Sequence, residues 1–321
     1  MRKLGLLIAL LLFATTMTST PAVATPGAAT LVSERAVTPR LLDLTVHSTA
    51  LNADVGVRLL LPKDWDSAPN RTWPTLYLLH GCCGQNGYTA WTGATDIAAF
   101  TANTDVLIVM PEGGLTGFYS NWWNGGNGGA PAWETFHLTE LRALLESHYR
   151  SGNARAIAGL SMGGFGALSY AARHPGMFKA AASYSGLVDT TYQGVRSTNV
   201  IQNFVGQYGF DRNALWGDPT AQAGVWAAHN PYALASNLRG AKVFLSAGNG
   251  QPGPFDAATS GTDTLEQLIG EQSAATATQL QAKGVSVTTD FYGPGHHAWP
   301  YWQQELHRSF PMLMHAIGVA F

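Results

Sequence analysis

The stretch Gly159-Leu160-Ser161-Met162-Gly163 sets a serine in a G-x-S-x-G frame between an apolar run and a small-residue helical pattern. A serine hydroxyl is a poor nucleophile unless it projects from a sharp turn toward a base, and such a turn leaves no room for side chains two residues either side. Gly159 and Gly163 supply that room. Ala154–Ala158 reads as a short buried strand and Phe165–Arg173 as a helix ending at His174-Pro175, so the motif predicts strand, elbow, helix. The chemistry such an elbow performs is attack on a carbonyl carbon. A Gly-rich turn that merely contains a serine is the plainer reading, and the elements on either side argue against it.

An activated serine needs a base and an acid to orient it, in the chain order serine, acid, histidine. His297 lies just beyond the apolar run 285–291, bordered by Gly and Pro, with His296 as its competitor. His47, His137, His148, His174, His307 and His315 fall on expected surface helices or before the elbow, and His229 falls in an insertion; all read as structural. The acid should follow the strand Val243–Ala247, where Asp256, Asp263 and Glu266 are the candidates. Spacing favours Asp256, and each also reads as a solvated or helix-capping carboxylate. An oxyanion hole of two backbone N–H groups, each worth ~3 kcal/mol, is expected from Met162 and from Cys82 in the loop His80-Gly81-Cys82-Cys83-Gly84.

The elements that must hold these groups follow from apolar periodicity. Strands are expected at Leu41–Val46, Val55–Leu61, Thr75–Leu79, Val106–Met110, Ala154–Ala158, Ala180–Tyr184, Val243–Ala247 and Val285–Phe291. Helix-length stretches lie at Trp133–Tyr149, Ser161–Arg173, Thr262–Lys283 and Trp299–Ile317. Alternating strands and helices predict an α/β fold, a mostly parallel sheet with helices on both faces, and the first two strands predict an antiparallel edge. Thr190–Asn230 shows no clear periodicity but carries Tyr192, Phe204, Tyr208, Phe210, Trp216 and Trp226. It reads as an insertion over the carboxyl edge of the sheet, its aromatics serving packing or lining a pocket.

Arg2 and Lys3, the apolar run Leu4–Phe13 and Ala22-Val23-Ala24 read as a secretory signal peptide, residues 1–24. Residues 25–40 read as a flexible low-complexity Ala/Thr/Pro segment and residues 41–321 as one domain. The expected product is exported, with no segment long enough to insert stably in a membrane. A net charge of −2 with 12% charged residues offers no basic face for nucleic acid. The two cysteines, Cys82 and Cys83, are adjacent, either joined or both reduced. No C-x-x-C pair exists and His296-His297 lacks helical metal-ligand spacing, so neither a metal nor a cofactor is expected.

Leu78-Leu79-His80-Gly81, Val109-Met110-Pro111-Glu112-Gly113-Gly114, Phe118-Tyr119-Ser120-Asn121-Trp122-Trp123, Trp133-Glu134-Thr135-Phe136, Gly159–Gly163, Gly248-Asn249-Gly250 and His297-Ala298-Trp299-Pro300-Tyr301-Trp302 carry a resemblance. The chain resembles the esterase family that includes the antigen 85 mycolyltransferases and S-formylglutathione hydrolases. The resemblance implies an α/β-hydrolase fold and a Ser161–Glu266–His297 triad, because that family often places the acid in a Leu-Glu pair about thirty residues before the histidine. It again selects Cys82 for the oxyanion hole. His80 stands where antigen 85 enzymes have an Asp, and Cys83 or an uncharged neighbour where they have an Arg, so two anchors for trehalose are missing. His80, Trp122, Trp123 and Trp299 are the expected substrate contacts. The implied activity is a serine esterase acting on small-molecule or glycolipid acyl esters. An acyltransferase that passes the acyl group to a sugar or alcohol is the nearest alternative, and an inactive binding protein on the same scaffold is another.

Overall fold

Residues 27, 29–84 and 86–321 are described by a computed structural model. The expected leader, residues 1–24, lies outside the described residues. The strands are β1 (Thr30–Thr38), β2 (Leu41–Ser48), β3 (Ala53–Leu60), β4 (Trp73–Leu79), β5 (Leu107–Pro111), β6 (Ser151–Leu160), β7 (Ala180–Tyr184), β8 (Lys242–Gly248) and β9 (Ser286–Gly293). They form one sheet in the order β1-β2-β3-β5-β4-β6-β7-β8-β9. The β1, β2, β3 and β5 contacts are antiparallel, and β5-β4-β6-β7-β8-β9 is parallel throughout.

The helices are α1 (Ala90–Ala94), α2 (Ile97–Phe100), α3 (Trp133–Thr135), α4 (Arg142–His148), α5 (Met162–Arg173), α6 (Val195–Gly206), α7 (Ala223–His229), α8 (Thr264–Ala282) and α9 (Trp299–Ala316). A π-helical turn, Phe136–Leu141, joins α3 to α4. Side chains alternate across a strand, so each central strand feeds two cores. Ile157, Ala181 and Val243 pack with Phe165 and Leu168 of α5 and with Ile269 and Leu280 of α8. Ala156, Ala158 and Ala182 face the opposite layer, with Leu306, Phe310 and Leu313 of α9 and Trp91 of α1. Burying both faces is what makes β6 and β7 read as continuous apolar runs.

One expectation needs correction, and one segment carries elements that its pattern did not show. Residues 30–38 are not a flexible segment: β1 pairs antiparallel with β2 along nearly its whole length. Arg35 reaches Asp43 at 2.6 Å and the Tyr149 hydroxyl donates to Glu34 at 2.6 Å, which ties down a strand whose side chains are otherwise mostly exposed. The Thr190–Asn230 insertion contains α6 and α7, with Ile201, Val205 and Trp226 buried; its helices are short, and their stripes are too brief to read as a period.

Chain reversal at the centre of the sheet places the site. β5 lies to one side of β4 and β6 to the other, so the carboxyl ends of β4 and β6 emerge side by side at a topological switch point. Leu79 pairs with Gly159, which sets the loop after β4 against the turn after β6. The loops after β8 and β9 leave from the same edge.

Candidate active site

Ser161 occupies the turn between β6 and α5 with φ 53°, in the left-handed region that non-glycine residues rarely adopt. Its N–H donates to Tyr184 O at 2.9 Å and its carbonyl accepts from Phe165 N at 3.0 Å, which hold the turn. A Cβ on Gly163 would stand 2.5 Å from the carbonyl oxygens of Leu79 and His80, so only glycine lets β4 leave the sheet this close to the elbow. Ser161 is 7% exposed and lines a cavity of about 370 Å³. His80, Gly81, Cys82, Leu160, Phe204, Leu265, His297, Trp299 and Trp302 share that cavity.

His297 follows β9, and its Nδ1 lies 2.7 Å from Glu266 Oε2. That engagement leaves Nε2 as the ring nitrogen available to the cavity. Glu266, on the first turn of α8, is 0% exposed. Its second oxygen accepts from Gly248 N at 2.7 Å, Ser185 Oγ at 2.8 Å and Tyr292 Oη at 3.4 Å. These donors replace the water that a buried carboxylate loses. Burial, and then the Glu266 charge, push the Tyr292 phenol far above its ordinary value, so it stays a donor.

Asp263 is a half-buried helix cap and is not placed on an imidazole. As N-cap of α8, its Oδ1 accepts from Leu265 N and Glu266 N, both at 3.0 Å, and its Oδ2 accepts from His297 N at 2.9 Å. One carboxylate thus ties the turn bearing Glu266 to the segment bearing His297. Burial alone would raise its pKa, but the His297 and Glu266 N–H bonds outweigh that and hold it below the usual carboxylate range. Asp256, the nearest acid to β8 by spacing, pairs instead with His296 Nδ1 at 3.4 Å. It also accepts from Tyr301 Oη at 2.6 Å and Gly253 N at 2.9 Å.

Of the two oxyanion candidates Cys82 lines the cavity, and Met162 directly follows Ser161, which does. Met162 opens α5, where a helix leaves its first N–H groups without intrahelical partners. Its Sδ accepts from Phe118 N at 3.3 Å, which holds the side chain away from the turn. The Cys82 N–H makes no hydrogen bond among the described residues. Cys82 and Cys83 are joined in a disulfide.

The expected substrate contacts divide. Trp299 lines the cavity, edge-on to Trp91 at 5.3 Å and Trp302 at 5.3 Å. His80 also lines it, but its Nδ1 lies 2.6 Å from Gly81 O and its Nε2 accepts from Gly113 N at 2.7 Å, so neither nitrogen is left for a ligand. Trp122 does not reach the Ser161 cavity: its indole donates to Gly117 O at 3.2 Å and packs edge-on to Phe210 around a separate cavity of about 280 Å³. Trp123 lines neither; its backbone N–H donates to Leu215 O at 2.9 Å and anchors the insertion. Sequence reasoning missed Ser185 and Tyr292, and named Phe204 only as one of the insertion aromatics that pack or line a pocket. For Ser185 a signal existed, a polar residue directly after a buried strand; Phe204 reached the cavity only through α6.

Among the described residues there is no cluster of three or more metal-ligating side chains and no helix long and apolar enough to cross a membrane.

Residues 48–313 match the family model described as Esterase. Esterase Rv1288 of Mycobacterium tuberculosis is 34% identical over 218 residues, which are 65% of this chain and 46% of that protein, so the chain spans about half of that relative's length. Diacylglycerol acyltransferase/mycolyltransferase Ag85B of Mycobacterium avium is 29% identical over 288 residues, covering 86% of this chain and 83% of that one. The crystal structure of Mycobacterium tuberculosis MPT51 (FbpC1) superposes with a TM-score of 0.72 at 26% identity, over 85% of this chain and 97% of that one. The fold is that of the α/β-hydrolases, and the chain belongs to the esterase family.

Proposed function

We propose that this chain is a serine esterase that cleaves short acyl esters through an acyl-enzyme. The observation that carries the reading is the convergence of Ser161, Cys82 and His297 on one cavity, with His297 Nδ1 2.7 Å from a fully buried Glu266. In the proposed mechanism His297 Nε2 takes the Ser161 proton as Oγ attacks the ester carbonyl. Glu266 holds the tautomer and stabilises the imidazolium. The Cys82 and Met162 amides receive the developing oxyanion. His297 then protonates the departing alcohol, and water, activated the same way, releases the acid.

Two features support water over a sugar as acceptor. The nitrogens of His80 are spent on backbone, and the remaining wall is mostly apolar: Leu160, Phe204, Leu265, Trp299 and Trp302. A cavity of about 370 Å³ falls within the size range of small-molecule sites, which suits a small acyl ester. Transfer to an alcohol is the second reading, favoured by the likeness to an enzyme named diacylglycerol acyltransferase/mycolyltransferase. Export through the leader at residues 1–24 belongs to the same proposal.

The test is release of p-nitrophenol from p-nitrophenyl butyrate by the chain and by Ser161→Ala. Turnover in the first and its loss in the second is the expected result. Equal rates in both, or turnover in neither, would overturn the reading and leave a binding protein or a narrow transferase.

A further inference from the structure

The loop that carries the proposed oxyanion donor is anchored on both sides of Cys82 but not at Cys82 itself. On one side, Tyr119 Oη donates to His80 O at 2.9 Å and Gly113 N donates to His80 Nε2 at 2.7 Å. On the other, Cys83 N donates to Leu115 O at 2.8 Å, Tyr208 Oη donates to Cys83 O at 3.2 Å, and Gln207 Nε2 lies 3.4 Å from Cys83 Sγ. Between them the Cys82 peptide is restrained by a covalent link, the disulfide to its neighbour. Cys83 holds φ 80°, a left-handed conformation that an L-residue abandons when nothing enforces it. Cys82 is half-buried against the core and lines the cavity, whereas Cys83 is exposed to solvent.

We propose that the Cys82–Cys83 disulfide is a positioning element, fixing the Cys82 amide toward the cavity and making ester turnover depend on the thiol–disulfide state of this loop. The inference rests on the esterase reading. In the reducing step, a thiolate of a soluble dithiol attacks the exposed Cys83 Sγ and the protein S–S bond breaks. Cys82 leaves as a thiolate and takes a proton. The second thiol of the dithiol then closes its own disulfide and releases Cys83 as a thiol. Two electrons and two protons pass from dithiol to protein. The reduced loop loses its covalent restraint, Cys83 relaxes toward negative φ, and the Cys82 N–H leaves the position of the oxyanion.

The experiment compares oxidised, dithiothreitol-reduced and reoxidised protein in butyrate ester hydrolysis, with thiol titration confirming zero, two and zero free thiols. Losing one oxyanion donor typically costs about 100-fold in kcat, so reduction is expected to lower kcat by about that factor, leave KM nearly unchanged, and be reversed on reoxidation. The Cys82→Ser/Cys83→Ser variant is expected to melt cooperatively, show the reduced kcat, and ignore dithiothreitol. Unchanged kcat with two titrated thiols would overturn the proposal. So would a loss of kcat matched by a collapse of the melting transition. Amide hydrogen exchange over residues 81–84 reads the loop without any substrate: it is expected to accelerate on reduction while α5 and β6 stay protected. Unchanged exchange overturns the positioning role even where the oxidised protein fails to hydrolyse ester and the esterase reading falls.

Discussion

Two histidines stand next to each other in the chain, each beside a carboxylate, and their surroundings differ in almost every respect. His297 pairs at 2.7 Å with Glu266, which is fully buried and receives three further donors. His296 pairs at 3.4 Å with Asp256, whose other oxygen is taken by Tyr301 and Gly253. Among the described residues the second nitrogen of His296 is enclosed without a partner, while the ring of His297 opens on the cavity that holds Ser161. An imidazole–carboxylate contact therefore means little by itself. What matters is where the other nitrogen goes and how completely the acid is fixed. The His296–Asp256–Tyr301 cluster reads as a clasp that holds the loop after β8 onto α9.

The sharpest way to break this contrast is to delete each ring. His297→Ala is expected to lower kcat by on the order of 10⁴–10⁶, the scale of losing a base that acts as one unit with its nucleophile. His296→Ala is expected to change kcat less than about tenfold. Steady-state hydrolysis of a p-nitrophenyl ester measures both, and comparable losses would erase the distinction.

The acids offer the next contrast. Glu266→Gln keeps the shape but offers the imidazole the wrong tautomer, for which a fall of about 10³–10⁴ in kcat is expected with KM little changed. Asp256→Asn retains an acceptor for Tyr301 and is expected to act on the melting temperature rather than on kcat. If the two variants exchanged these effects, Asp256 would be the orienting acid.

A third buried carboxylate sharpens the lesson about partners. Glu305 of α9 is raised to about 7, first by burial, then by the charge of Asp290, with Arg308 opposing. A carboxyl that titrates higher folded than unfolded prefers its proton in the fold. Its penalty is absent below the unfolded value, grows as pH rises from about 4.5 toward 7, and is constant above. Glu305→Gln is expected to match the wild type in melting temperature near the lower limit. At pH 8 it is expected to be more stable by about 3 kcal/mol, several degrees. Thermal melts across this range test the sign, and a variant less stable at pH 8 would overturn it. Glu266 differs in its partners: one oxygen accepts from Gly248 N, Ser185 Oγ and Tyr292 Oη, and the other faces His297 Nδ1.

Local pattern made much of the scaffold legible. The runs at Ala154–Ala158 and Ala180–Tyr184 fall within β6 and β7, since a strand covered on both faces is apolar at most positions, Arg155 and Ser183 being the exceptions here. Gly159 and Gly163 announced a turn at Ser161 because the spacing of glycines reflects a steric demand local to a few residues. β1 was hidden, because its side chains stay mostly exposed and its order comes from a ladder with β2. Trp122 and Trp123 looked like substrate contacts, but an aromatic pair in a loop does not reveal which cavity it faces.

The amino-acid sequence by itself determined the α/β alternation, the elbow around Ser161 and the order of serine, acid and histidine candidates, because each depends on residue type and short-range spacing. Only the tertiary structure decided that Glu266 and not Asp256 meets His297, that Asp263 ties α8 to the segment after β9, and that Cys82 and Cys83 are joined. Those outcomes depend on how loops from β4, β6, β8 and β9 converge on one edge of the sheet. Separation along the chain carries no information about that convergence, since the packing of helices on both sheet faces sets it.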